Sequence, residues 1–231
     1  RIASFKANII FTHTKKRVRE IKKFLGHNIR VICNYRGIQF DQFKTVSTFN
    51  KYNKKKYTFC TVGVLEKHKN IEMVIYNFQL IKRKYPKAKL FIIGKGSLEN
   101  NLKQIVNNLK LENSIKFLGW LSKKEMYNVL FKTQFYLHFS KIDVIPNSIK
   151  EAMYCKCFVL SSKTFAIDEI IKHKINGFLV DANNHKKIIK IINFCLNNKS
   201  ANVITQKARL KIKKNFNLKK NIKFFLKHVS Q

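Results

Sequence analysis

Two carboxylates, Asp143 and Glu151, stand at either end of "DVIPNSIKEAM" in a chain of 231 residues that holds only 12 Asp and Glu against 48 Lys and Arg. Acids this scarce, set around a proline and a helix start, suggest a binding task. Pro146 fits at or just before the first turn of a helix, and Asn147 or Ser148 can cap it, so free backbone N–H groups there would face an anion such as a diphosphate. Glu151 lies about one turn in. A carboxylate at that place can accept both hydroxyls of a ribose, as an acid does in Rossmann dinucleotide sites. Asp143, on the loop before the helix, can reach a sugar hydroxyl beyond the phosphates. The plainer alternative is a loop acid and a helix-start acid favoured by the helix dipole. Spacing alone leaves that alternative ahead.

The elements that must position these acids are legible in the pattern. From about Tyr57 to Val180 short β-rich runs alternate with helical patterns, the signal for βαβ units and a parallel sheet. "YTFCTVG" is a strand ending in Gly63, and "NIEMVIYNFQLIKRKYP" a helix stopped by Pro86. "AKLFIIGKG", "SIKFLG", "FYLHFS", "CFVLSS" and "GFLV" follow as strands, with helices from about Leu98 to Leu109, from about Lys123, through "SIKEAM" and in "IDEIIKH". Helical stretches near His185 to Leu196 and Val203 to His228 close the chain. The order is Rossmann-like. Gly63, Gly94, Gly96 and Gly119 all fall at expected carboxyl ends of strands, where open α/β sheets bind ligands and glycine permits close approach. "GKG" at 94–96 is neither a dinucleotide fingerprint nor a phosphate-binding P-loop.

Residues 1–45 differ: "ANIIF" reads as a strand, "TKKRVREIKKFL" as a basic amphipathic helix and "NIRVICN" as a second strand. One αβ unit cannot cover both faces of a sheet, so this piece reads as the tail end of another α/β domain. The expected division is 1–45 for that tail, a polar linker at 46–56, a Rossmann-like domain at 57–202 and a closing helix at 203–231. The chain opens on Arg1, not Met, and Ile2 onward reads as mid-domain sequence, so the expectation is an excerpt.

Composition excludes several classes. Apolar residues make up 45% and aromatics 13%, the content of a packed protein. The net charge of +36 raises a polyanion partner. Lys is spread over nearly every segment with no arginine-rich stripe, however, so a solvated basic surface is preferred and nucleic acid is disfavoured. Five cysteines without paired spacing argue against a zinc site or a disulfide framework, and point to a reducing, cytoplasmic setting. His138, in an apolar run, reads as a satisfied core histidine. No uncharged apolar run approaches the roughly 20 residues that span a bilayer. Peripheral association with an anionic membrane remains compatible with the charge.

Five blocks, "VGVLEKHKNIEMVI", "AKLFIIGKGSLENNL", "IKFLGWLSKKEM", "DVIPNSIKEAM" and "IDEIIKHKINGFLV", resemble in order and spacing the glycosyltransferase family 4 (group 1) enzymes, retaining transferases of the GT-B fold. The resemblance is close over about residues 57–181. It implies two Rossmann-like domains facing each other, the carboxyl-terminal one binding a nucleotide-sugar donor. The acceptor it implies is a glycan or a lipid-linked sugar, and the last helix is expected to cross back to the first domain. Carried over by position, Glu151 meets the ribose and Asp143 the transferred sugar, where the family typically has Glu. Lys69, in "EKHKN", neutralises the diphosphate. Gly119 and Trp120 lie near the nucleobase, and Gly63 gives the backbone room. No metal or other cofactor is expected, because Lys69 and the helix amino terminus supply the positive charge. Retention is ascribed in this fold to same-face attack, with the leaving phosphate taking the acceptor proton.

The chain also departs from the family. Val64 stands where an arginine shares the diphosphate, and Val144 follows the first acid in place of glycine. Lys156 and Phe158 occupy positions of Gly and Pro, and "TFAIDE" replaces a glycine-rich turn before Glu169. Losing one charged phosphate contact would cost about 2 to 4 kcal/mol in the transition state. A weakened pocket is expected, with a degenerate relative acting as a binding or scaffold module as the alternative.

Overall fold

The computed structural model describes residues 8–25, 29–44, 46 and 54–229. They belong to two compact units, Arg1–Phe40 with Lys213–Gln231, and Asp41–Ile212.

The larger unit starts with a short helix α2 (Asp41–Lys44; α1 belongs to the smaller unit). It continues as β3 (Lys55–Val62), α3 (Ile71–Lys84), β4 (Lys89–Ile93), α4 (Glu99–Asn108), β5 (Ile115–Phe117) and α5 (Lys123–Lys132). After these come β6 (Thr133–His138), α6 (Asn147–Tyr154), β7 (Phe158–Ser162), α7 (Ile167–Ile170), β8 (Phe178–Val180) and α8 (His185–Asn197). The six strands form one sheet in the order β5-β4-β3-β6-β7-β8, and every neighbouring pair is parallel.

A parallel sheet is covered on both faces, so the middles of its strands are largely apolar. Leu90, Ile92, Phe135, Tyr136, Leu137 and Leu160 accordingly have no exposed surface. Phe59 of β3 stacks on Phe135 of β6 with ring centroids 4.9 Å apart, and meets Phe78 of α3 edge-on at 5.8 Å. α3 buries Val74, Ile75, Phe78 and Ile81, one face of a 3.6-residue period. It ends at Tyr85, before Pro86, because the ring of Pro86 has no N–H to continue the ladder.

The sheet's order carries the functional consequence. From β3 the chain winds outward through β4 to β5, then returns to β6 beside β3 and winds the other way through β7 to β8. Between β3 and β6 the crossovers diverge, and a crevice opens outside the carboxyl ends of the strands.

The smaller unit holds β1 (Ile9–Thr12), α1 (Lys15–Leu25) and β2 (Arg30–Cys33), with β1 and β2 parallel. Its remaining residues include the end of α9 (Asn202–Asn215) and α10 (Leu218–Val229). Phe11 of β1 meets Phe225 of α10 at 4.7 Å. The Asn34 side chain donates to the Asn221 carbonyl at 3.1 Å, and the Asn221 side chain donates to the Tyr35 carbonyl at 2.6 Å. No helix among the described residues is long and apolar enough to cross a membrane.

Three details differ from the sequence-based expectation. The helical stretch 203–228 is broken at Phe216 and Asn217: the Phe216 carbonyl accepts from Ile38 N–H at 2.8 Å, and the Asn217 side chain accepts from Lys220 N–H at 3.2 Å to start α10. Of the expected linker at 46–56, residues 47–53 lie outside the described residues, while Lys55 and Lys56 already belong to β3. The unit boundaries fall at 40/41 and 212/213.

Candidate functional site

The carboxyl ends of β3, β4 and β5 are stitched together by backbone bonds. Gly63 N–H donates to the Ile93 carbonyl at 3.0 Å, and Gly94 N–H to the Gly119 carbonyl at 2.8 Å. Gly94 has φ +135°, and a Cβ on it would come within 1.9 Å of the Gly63 carbonyl oxygen. Only glycine fits there.

After β3 the chain makes a short 3-10 turn at Lys67–Lys69, then passes through Asn70 at φ 55° into α3. This turn is tied to the end of β6. The His68 carbonyl accepts from Ser140 Oγ at 3.0 Å and from Lys141 N–H at 2.9 Å, and the Asn70 amide donates to the Phe139 carbonyl at 3.1 Å. Asparagine tolerates the left-handed conformation and its side chain anchors the turn. Lys69 is thereby presented toward the gap between β3 and β6, with Nζ 2.8 Å and 2.9 Å from the two carboxylate oxygens of Asp143. His138, the last residue of β6, places Nε2 3.0 Å from Asp143 Oδ2. Burial alone would raise the Asp143 carboxyl pKa. Hydrogen bonds from His138, Lys69 and Ser140 outweigh it and hold the group well below the usual aspartate range.

α6 begins at Pro146, which takes the N-cap position with extended backbone (φ −69°, ψ 145°) and supplies no side-chain cap. This corrects the expectation that Asn147 or Ser148 caps the helix: both already lie within it, and the Ser148 side chain hydrogen-bonds to the Tyr136 phenol. The first amides of the helix therefore point outward without a side-chain partner from an N-cap. Glu151, one turn on, is 3% exposed. Its Oε1 accepts from Lys123 Nζ at 2.5 Å and from the Tyr127 hydroxyl at 3.3 Å. Burial, with the neighbouring Glu151 charge, pushes the Tyr127 phenol well above its ordinary value, so it stays a donor.

A cavity of about 540 Å³ collects these parts. Gly63, Lys69, Gly94, Trp120, Pro146, Asn147, Ser148 and Glu151 all line it. Two expected residues do not. Gly119 supports Gly94 through its carbonyl, and Asp143 is reached through Lys69. Trp120 is 73% exposed at the rim, a flat apolar surface suited to a ring. Val64, 39% exposed, lines the wall near Lys69 without adding charge.

Sequence reasoning missed Lys123, Tyr127 and His68, and read His138 as a satisfied core histidine. His138 is buried and satisfied, but by Asp143. Lys123 and Tyr127 share one face of α5 at i, i+4, and "SKKE" carries a readable start signal. Ser122 and Glu125 form a reciprocal capping box. That this face looks at α6 is decided by packing alone. Among the described residues no group of three or more His, Cys, Asp or Glu side chains is placed to hold a metal ion.

A parallel sheet whose crevice carries a helix amino terminus, a lysine and a buried acid defines an open α/β unit with its candidate site at the carboxyl ends of the strands. Its fold is of the GT-B type: the crystal structure of Anabaena HepE in complex with UDP matches with a TM-score of 0.82 at 18% identity, covering 99% of this chain and 65% of that one. The chain belongs to the glycosyl transferases group 1, whose sequence profile matches residues 43–219.

Among its relatives is an uncharacterized glycosyltransferase of Methanocaldococcus jannaschii, 29% identical over 199 residues, covering 84% of this chain and 50% of the relative. Another is the UDP-Gal:alpha-D-GlcNAc-diphosphoundecaprenol alpha-1,3-galactosyltransferase of Escherichia coli, 25% identical over 138 residues, covering 59% of this chain and 35% of the relative. The chain thus spans half or less of the length of these two curated relatives.

Proposed function

We propose that this chain is the donor-binding part of a retaining glycosyltransferase that takes a sugar from a nucleoside diphosphate. The observation that carries the reading is one cavity lined by the open amino terminus of α6, by Lys69 and by the buried carboxylate of Glu151. In this reading the diphosphate sits over Gly63 against the first amides of α6, which favour an anion through their free N–H groups and the helix dipole. Lys69 meets the same diphosphate. As the glycosidic bond breaks, negative charge grows on the leaving phosphate, and a fixed cation beside it lowers the barrier. Glu151 accepts the two ribose hydroxyls, with Lys123 and Tyr127 orienting its carboxylate. The base lies toward Trp120, and Asp143 faces the transferred sugar from beside Lys69.

No metal is invoked, since the lysine and the helix terminus supply positive charge where the diphosphate lies. The acceptor attacks from the face the phosphate leaves, and that phosphate takes its proton. Supporting the donor class, the similar HepE structure holds UDP. Supporting a lipid-linked acceptor, the similar E. coli enzyme is named for one.

The test is calorimetric titration of the 231-residue chain with UDP, GDP and ADP, each with and without a metal chelator. Saturable 1:1 binding of one nucleoside diphosphate, unchanged by the chelator and lost in Lys69→Met, is expected. Absence of binding by all three would overturn the reading, and binding only in the presence of a divalent ion would overturn its metal-free part.

A further inference from the structure

Asp143 is gripped from two sides, and the two grips differ in kind. Lys69 holds both carboxylate oxygens, at 2.8 Å and 2.9 Å, through an ammonium on a flexible four-carbon stem. His138 holds Oδ2 at 3.0 Å through an imidazole that is 4% exposed, at the end of a strand paired on one side with β3 and on the other with β7. The carboxyl is kept ionised near neutrality by the hydrogen bonds it receives. An ionised carboxylate only accepts, so His138 Nε2 carries the hydrogen and donates it.

The reading above asks Lys69 to turn its charge toward a diphosphate. A carboxylate whose side chain is only 15% exposed would then lose the ammonium that holds both of its oxygens. The loss would be costly unless another donor stayed in place.

We propose that His138 is a positioning residue that keeps Asp143 aimed while Lys69 is handed from this acid to the donor's diphosphate. The proposal rests on the nucleotide-sugar reading of the cavity. It assigns a new role within that site: Lys69 and Asp143 are an ion pair only until the donor arrives, and the buried imidazole carries the acid through the exchange. His138 itself touches neither nucleotide nor sugar.

The experiment compares His138→Leu, which loses the donor, with His138→Gln, whose amide N–H reaches about as far as Nε2. In the wild-type chain, affinities for UDP and for UDP-glucose, UDP-galactose and UDP-N-acetylglucosamine are measured, and the sugar giving the largest gain over UDP is carried forward. His138→Leu is expected to cut that gain about 10-fold or more, as loss of a hydrogen bond to a charged group does, and His138→Gln to restore it to within about 3-fold. Thermal melts establish that both variants fold. In the nucleotide-free chain, carbon NMR of the Asp143 carboxyl should show its pKa rising in His138→Leu and returning in His138→Gln.

An unchanged sugar gain in folded His138→Leu, or a Gln variant no better than Leu, overturns the proposal while leaving the nucleotide reading intact. A wild-type chain whose affinity no sugar improves overturns the sugar-facing role of Asp143 and the proposal with it. A wild-type chain that binds no nucleoside diphosphate removes the functional reading itself.

Discussion

Glu151→Gln separates recognition from folding at this site. The carboxylate is 3% exposed, and Lys123 and Tyr127 both bond to Oε1, which leaves Oε2 for the ribose. A ribose bridging that carboxylate makes two hydrogen bonds to a charged acceptor, worth about 1.5 to 3 kcal/mol each, against about 0.5 to 1.5 for neutral partners. Conversion to an amide therefore costs about 2 to 3 kcal/mol in binding, raising the UDP dissociation constant roughly 30-fold to 140-fold. Stability should change far less. The Lys123 side chain is 54% exposed, so water and salt screen its pair with Glu151 and the loss stays under about 1 kcal/mol, while the amide oxygen still accepts from Tyr127. Calorimetry with UDP and 2′-deoxy-UDP on both chains closes a double-mutant cycle. The wild type should prefer the ribonucleotide by about 10-fold to 30-fold, and Glu151→Gln by no more than about 3-fold. If the variant binds UDP as the wild type does, or keeps the full preference for the 2′-hydroxyl, Glu151 does not hold the ribose.

Gly94→Ala should destabilise the larger unit by about 4 kcal/mol or more, because a Cβ would lie 1.9 Å from a backbone oxygen; a urea midpoint within about 1 kcal/mol of wild type would contradict that geometry. Lys156→Gly should stabilise by about 0.5 to 1 kcal/mol, since Lys156 sits at φ 60° just past α6, with Lys156 N–H on the Met153 carbonyl and Cys157 N–H on the Ala152 carbonyl; an unchanged melting temperature would count against it. Asp143→Asn should cost about 2 kcal/mol of stability at neutral pH. The folded Asp143 pKa is lowered, so its contribution is fully present above the unfolded value near 3.9 and is lost as pH falls through the folded value. The difference between variant and wild type should accordingly stay flat from pH 8 to about 5 and shrink only below about pH 4. Burial raises the Cys60, Cys155 and Cys157 thiol pKa values and pushes Cys195 up to about 12, so these four should resist a thiol reagent at pH 8 until denaturant is added. Labelling of any of them in the native chain would contradict their burial.

Much of this architecture is local information. Strands of Leu, Ile, Val and Phe ending in glycine, and helices punctuated by Pro86 and by the "SKKE" cap, follow from periodicity and capping chemistry that a few neighbouring residues express by themselves. So does the glycine at 94, whereas the N-cap of α6, expected at Asn147 or Ser148, falls on Pro146. For the same reason Gly63 could be named as a candidate from the chain order, because open parallel sheets bind ligands where strands end; Lys69, and the choice of Glu151 over a plain helix-start acid, come from the family resemblance. Which side chains complete the site is another matter. Lys123 reaches Glu151 across 28 residues and Lys69 reaches Asp143 across 74, and no periodicity encodes such pairs. They depend on the order of strands in the sheet, on β6 returning beside β3, and on how α5 packs against α6. The same long-range packing turned His138 from an apolar-run histidine into the partner of a site acid. It also broke the helical pattern after residue 215, where an Asn217 cap and the Phe216 carbonyl find partners that a helix continued through both residues would exclude. Sequence settled the elements and the edge of the sheet where chemistry gathers; tertiary structure chose the partners, because a charge finds its counter-charge through space and not along the chain.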